Sequence, residues 1–122
     1  MRFCDSSELH KVNRAIGSPD DFACIKAEIK AGRSRFVCIF GTYFILRVDS
    51  DGLVVVCAQG QNIKQASHVI VELARRLRIK NIYFHTKRPA LARLLKHCNF
   101  KFLETDPNGC SVFGMVVHEH KF

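Results

Sequence analysis

No run of about 18 apolar residues occurs in this chain of 122 residues, so it has no stretch able to cross a bilayer as a helix. Tryptophan is absent and there are only three prolines. No Cys-x-x-Cys pair occurs, and no His or Cys spacing matches a zinc finger. The first ten residues lack the apolar core of a secretory signal. The cytoplasm is therefore the expected setting, and the six cysteines are expected to be free thiols, buried like small hydrophobes. Internal repeats, linkers and low-complexity stretches are also missing. What remains is ordinary globular composition, 48% hydrophobic and 25% charged, enough for one domain over residues 1–122.

Acidic residues are scarce in one place. Between Lys64 and Lys101 the chain has ten Lys or Arg and a single acid, Glu72, whereas the other residues nearly balance. Such a field draws anions. Arg75, Arg76, Lys87, Arg88, Arg93 and Lys96 are the candidate anion-binding residues. The partner classes are an anionic ligand, a nucleic acid or an acidic protein surface. The plain alternative is a solvated basic surface that keeps the protein soluble. No nucleic-acid recognition motif accompanies the charge, and aromatics do not alternate with it as stacking platforms would.

Periodicity sets the elements. Met1 to Cys4 reads as a short strand. Asp5-Ser6-Ser7-Glu8 starts a helix that runs to Ile16 and ends at Gly17. Ser18 caps a second helix with Pro19 in its first turn, its stripe being Phe22, Ile25 and Ile29 with Cys24. Strands follow over Arg35–Phe40 and Tyr43–Val48. Asp51-Gly52 is a hairpin signal. Leu53–Ala58 reads as a central strand buried on both faces. Asn62 is placed to cap a helix whose stripe is Ile63, Ala66, Ile70, Leu73, Ala74 and Leu77. Asn81–His85 is a strand, Pro89 opens a helix that Asn99 ends, and Phe100–Thr105 and Cys110–Val117 are strands joined by Asp106-Pro107-Asn108-Gly109. The fold class is α/β in the α+β sense. A mixed, mostly antiparallel sheet of about seven strands is flanked by four helices.

This order resembles the GNAT superfamily of N-acetyltransferases over essentially the whole chain. Val54-Val55-Val56, the polar break after it, the helix closing on Leu73-Ala74-Arg75-Arg76-Leu77 and the strand Ile82-Tyr83-Phe84 are similar to its cofactor-binding motif. His85 to Phe100 resembles the segment that closes that motif. The chain also resembles small GNAT-like proteins of bacteriophages. The resemblance implies acetyl-CoA as cofactor, with the backbone of Val55 and Val56 on its arm and acetyl group. Its pyrophosphate would lie on Gln59, Gln61, Asn62, Ile63, Lys64 and Gln65. The family loop has glycine where this chain has Lys64, so the loop is degenerate. Leu95 stands where the family has a tyrosine acid. The catalytic candidate is His85, as a base. Two functions stay open: an acetyl-CoA-dependent N-acyltransferase, or a GNAT-like phage protein without catalysis. The latter would act as a structural or host-factor module, or bind nucleic acid, through its basic face.

Overall fold

A computed structural model describes residues 1–16 and 19–117. The helix stop expected at Gly17 and the cap expected at Ser18 lie outside the described residues. The strands are β1 (Arg2–Phe3), β2 (Ser34–Ile39), β3 (Thr42–Asp49), β4 (Gly52–Gln59), β5 (Asn81–Thr86), β6 (Lys101–Thr105) and β7 (Ser111–Val116). The helices are a 3-10 segment (Ser6–Val12) running into α1 (Asn13–Ile16), then α2 (Pro19–Lys30), α3 (Ile63–Arg76) and α4 (Pro89–His97). The seven strands form one sheet in the order β1-β2-β3-β4-β5-β7-β6. All neighbours are antiparallel except β4 and β5, which are parallel across the α3 crossover. The mixed sheet read from the sequence is the one observed. Among the described residues, no helix is long and apolar enough to cross a membrane.

Each face of the sheet has its own core. Val37, Phe44, Leu46, Val55 and Phe84 pack under α3 and α4 with Ile70, Ala74 and Leu95. Phe36, Ile45 and Cys57 face the other way and pack with Leu9, Val12 and Ile25. Adjacent strand residues point to opposite faces, so a strand covered on both sides is apolar without a break. That is why Leu53, Val54 and Val55 are all buried.

Several local features differ from expectation. The first helix is 3-10 for most of its length. Its start is fixed by the Glu8 carboxylate, which accepts from the Asp5 amide at 3.0 Å and from the Arg2 guanidinium. These bonds, the one from Arg2 foremost, lower the Glu8 pKa to about 2. The β3–β4 turn is Ser50-Asp51, since Asp49 pairs with Gly52. Gly52 is needed for space instead: a Cβ there would lie 2.4 Å from the Asn81 carbonyl oxygen. Cys24 is exposed on the outer side of α2 and Cys38 is only half-buried; of the six, Cys57 alone is buried. Burial pushes the Cys57 thiol up to about 12. Leu77 lies just past the end of α3, 56% exposed, because the stripe outruns the helix.

Two helix ends share one device. Asn99 has φ 67°, as its glycine-like position predicts, and Arg78 has φ 59°. Phe100 N–H donates to the Leu95 carbonyl, and Ile79 N–H to that of Ala74. Both are Schellman closures, with the left-handed residue just outside the helix.

Candidate active site

A gap opens in the middle of the sheet. β4 and β5 pair only through Leu53–Ile82, Val54–Tyr83 and Val55–Phe84. Past Val55 the two strands part, and the cause is local. Ile45 faces Cys57 while Leu46 faces Val55, so Val56 is an extra residue in β4. A bulge bends its strand and adds twist. β4 continues beside β3 as far as Tyr43–Gln59, while β5 continues beside β7 as far as Thr86–Ser111. Each strand keeps its outer neighbour and the gap lies between them.

His85 stands on β5 just beyond the last shared rung. Its Nδ1 lies 2.9 Å from Oδ2 of Asp106, in the β6–β7 turn. The other carboxylate oxygen, Oδ1, accepts from the amides of Asn108 and Cys110, each at 2.9 Å. Desolvation alone would raise the Asp106 pKa. The bonds from His85, Cys110 and Asn108 outweigh it and hold the carboxyl below its usual value. An ionised carboxylate only accepts, so Nδ1 of His85 carries hydrogen, which in the neutral imidazole leaves the lone pair on Nε2. The imidazole side chain is 32% exposed, against 13% for Asp106. The ring is thus anchored through Nδ1. Cys110 is beside it, but burial first and then the Asp106 charge raise its pKa, so it stays a thiol and a weak nucleophile.

The loop between β4 and α3 is held against β3. A Cβ on Gly60 would meet the Thr42 Cα at 2.6 Å. Thr42 is buried, and its Oγ1 accepts from the Asn62 amide at 3.2 Å. Asn62 does not cap α3, contrary to expectation. Its Nδ2 donates to the Phe40 carbonyl at 2.9 Å, which ties the side chain to the β2–β3 turn. The first turn of α3 therefore has no side-chain cap. Its open N–H groups and dipole favour an anion there, and Lys64 and Gln65 are exposed beside them. The Ile63 side chain is buried in the core, so only its backbone is available to a ligand. Gln61 is exposed, and Gln59 is half-buried at the end of β4.

The six candidate anion-binding residues divide. Arg76, Lys87, Arg93 and Lys96 are exposed. Arg75 is ion-paired with Glu72 on its own helix. Arg88 turns inward: its Nη1 donates to the Ala58 carbonyl at 3.1 Å, and its amide donates to Thr86 Oγ1 at 3.0 Å. Its guanidinium therefore bridges from the start of α4 to β4. Val55 is buried at the last shared rung and Val56 is the bulge. Leu95 is fully buried, so it offers the gap no polar group.

Sequence reasoning missed Asp106, Thr42 and the inward turn of Arg88. Asp106 carried a usable signal. An Asp opening Asp-Pro-Asn-Gly often accepts from the amides that follow it, and such a carboxylate is fixed in place.

No protein-family model matches the sequence, and no curated protein matches it. Solved structures do match in fold. The ribosomal-protein-S18-alanine N-acetyltransferase of Escherichia coli superposes with a TM-score of 0.63 at 12% identity, over 98% of this chain and 94% of that one. A Bacillus subtilis acetyltransferase in complex with CoA gives 0.68 at 11% identity, over 97% and 96%. A GNAT-family acetyltransferase of Listeria monocytogenes gives 0.60 at 13% identity, over 94% and 92%. The described residues have the GNAT acetyltransferase fold. These structural neighbours come from bacteria and lend no support to an origin in a phage.

Proposed function

We propose that this protein is an N-acyltransferase that moves an acetyl group from acetyl-CoA to a primary amine. The observation that carries the reading is the gap between β4 and β5, with a His85–Asp106 pair at its open end. Two features fit the cofactor in kind. The Ala58 carbonyl faces the gap, as its bond from Arg88 indicates, and the α3 amides are uncapped beside Lys64. The backbone of Val55 and Val56, with Gln59, Gln61 and the Asn62–Gln65 turn, would hold the arm and the pyrophosphate. Bound there, acetyl-CoA supplies a thioester carbonyl open to attack and a thiol leaving group.

The chain's own part is to handle the proton. His85 Nε2 takes one from the attacking amine. Asp106 keeps the imidazole in the right tautomer and stabilises its charged form. The exposed edge of the ring passes the proton to solvent, and with no side-chain acid at Leu95 the departing thiolate would take its proton from solvent in turn. Leu95, at the place of the family tyrosine, lies in the core and supplies no proton. The test is acetyl transfer to a polyamine and to a lysine peptide. The wild type should acetylate at least one, and His85→Ala should be slower by about 10²–10⁴. Equal rates would remove His85 from the reaction.

A second reading has one observation behind it. Arg88 already occupies a β4 carbonyl, as in a scaffold that has given up its cofactor. Arg76, Lys87, Arg93 and Lys96 would then serve a polyanion or an acidic protein surface. Salt-sensitive binding to a polyanion without any CoA binding would favour that reading.

A further inference from the structure

A trough lies on the α3 side of the sheet, at the end away from the gap. It measures 530 Å³, within the roughly 300–1,000 Å³ of small-molecule sites. Val37, Leu46 and Leu53 are buried strand residues that line it, and Phe3 borders it on one side with Leu73 and Leu77 on the other. Leu77 is about four helical turns from Ile63, so the trough and the cofactor turn sit at opposite ends of α3. Met1, Phe3, Val48 and Leu77 all line it, and each is more than half exposed. Monomers rarely gather such side chains without a use for them.

Three of the four charged residues that line the trough are arginines. Arg33 and Arg35 both line it, Arg35 on the face of β2 that carries Val37 and Arg33 in the turn just before that strand. Neither has an acidic partner within ion-pair distance among the described residues. Asp49 also lines the trough, but Arg47 holds its carboxylate at 2.9 and 3.1 Å. The site thus combines an apolar cleft with two unpaired guanidiniums at one end, where β2 begins. A guanidinium pairs with a carboxylate through two parallel bonds. A second copy of the chain would bring its own net charge of +8 against this one, so a small anion suits the site better.

We propose that the trough binds a single-chain acyl carboxylate, with its head on Arg33 and Arg35 and its tail over Val37, Leu46 and Leu53. This does not depend on acetyl transfer. The test titrates the protein with dodecanoate below its micelle concentration, by calorimetry. Dodecyltrimethylammonium serves as a cationic control of equal chain length. Dodecanoate should bind one to one, at least about tenfold tighter than the cation. The double variant Arg33→Glu, Arg35→Glu should lose that preference. Leu77→Asp, at a position 56% exposed and outside both cores, should weaken dodecanoate by about tenfold with an unchanged circular dichroism spectrum. Equal binding of the two amphiphiles, no saturable binding, or an unaffected double variant would overturn the proposal. Binding to phosphatidylglycerol vesicles without dodecanoate binding would overturn it in favour of a membrane surface. Dimerisation that Leu77→Asp abolishes, again without dodecanoate binding, would overturn it in favour of self-association.

Discussion

Removing the Arg88 side chain should tighten acetyl-CoA binding, although it deletes a positive charge beside an anionic ligand. Arg88 Nη1 occupies the Ala58 carbonyl at 3.1 Å. That carbonyl belongs to the stretch of β4 that β5 leaves unpaired. A pantetheine arm adding to β4 there must first displace the guanidinium. A hydrogen bond with a charged partner contributes about 1.5–3 kcal/mol, and about 1.4 kcal/mol is tenfold in affinity. Arg88→Ala should therefore bind at least about tenfold more tightly by calorimetry. The variant should also be less stable by about 1–3 kcal/mol, because the carbonyl is left without its donor when no ligand is present. Lys87→Ala removes the same charge from an exposed neighbour, and it should leave affinity unchanged or weaken it. If Arg88→Ala weakens binding as much as Lys87→Ala or more, Arg88 is a phosphate ligand and the reasoning about the plugged carbonyl fails.

Other outcomes follow from single residues. Lys64→Glu should weaken acetyl-CoA binding by at least about tenfold, since it puts like charge beside the pyrophosphate at an uncapped helix start; unchanged calorimetric affinity would mean that Lys64 points elsewhere. Asn99→Gly should be neutral or stabilising and Asn99→Val costly by at least about 1–2 kcal/mol, the penalty of a side chain in the left-handed region; equal melting temperatures for the two would contradict the 67° φ. The Asp106 carboxyl is held below its ordinary value of 3.8. Its ionised form therefore stabilises the fold above that pH, and the contribution is lost as pH falls through the lowered pKa. Urea titrations between pH 5 and pH 2 should show a smaller acid loss of stability in Asp106→Asn than in the wild type. Parallel curves would refute the carboxylate's role.

The elements were legible wherever a period was present. The α3 stripe from Ile63 to Ala74 and the strands β2, β3 and β5 stand within a residue or two of where the pattern puts them. The bulge at Val56 left no trace, because Val54-Val55-Val56 is apolar throughout and an inserted residue breaks no alternation. The gap was therefore not visible from the residues that make it. Leu77 fits the α3 period, yet the helix stops before it through the left-handed Arg78, a conformation that Arg rarely signals. Arg88 next to Pro89 reads as a surface residue at a helix start. Only the parting of β4 from β5 gives its guanidinium a carbonyl to meet. His85 was legible as a polar residue at a strand end, but the carboxylate that anchors it is 21 residues further on.

The proposed function stands or falls on the gap between β4 and β5 as a cofactor site. The most direct measurement is an amide ¹H–¹⁵N spectrum recorded during titration with acetyl-CoA. Saturable shifts should concentrate at Val56 to Ala58 on β4 and at Ile63 to Gln65 on α3, with Arg88 among the residues that move most. Shifts confined to the exposed lysines and arginines and abolished by salt, or no saturable shift at all, would contradict it.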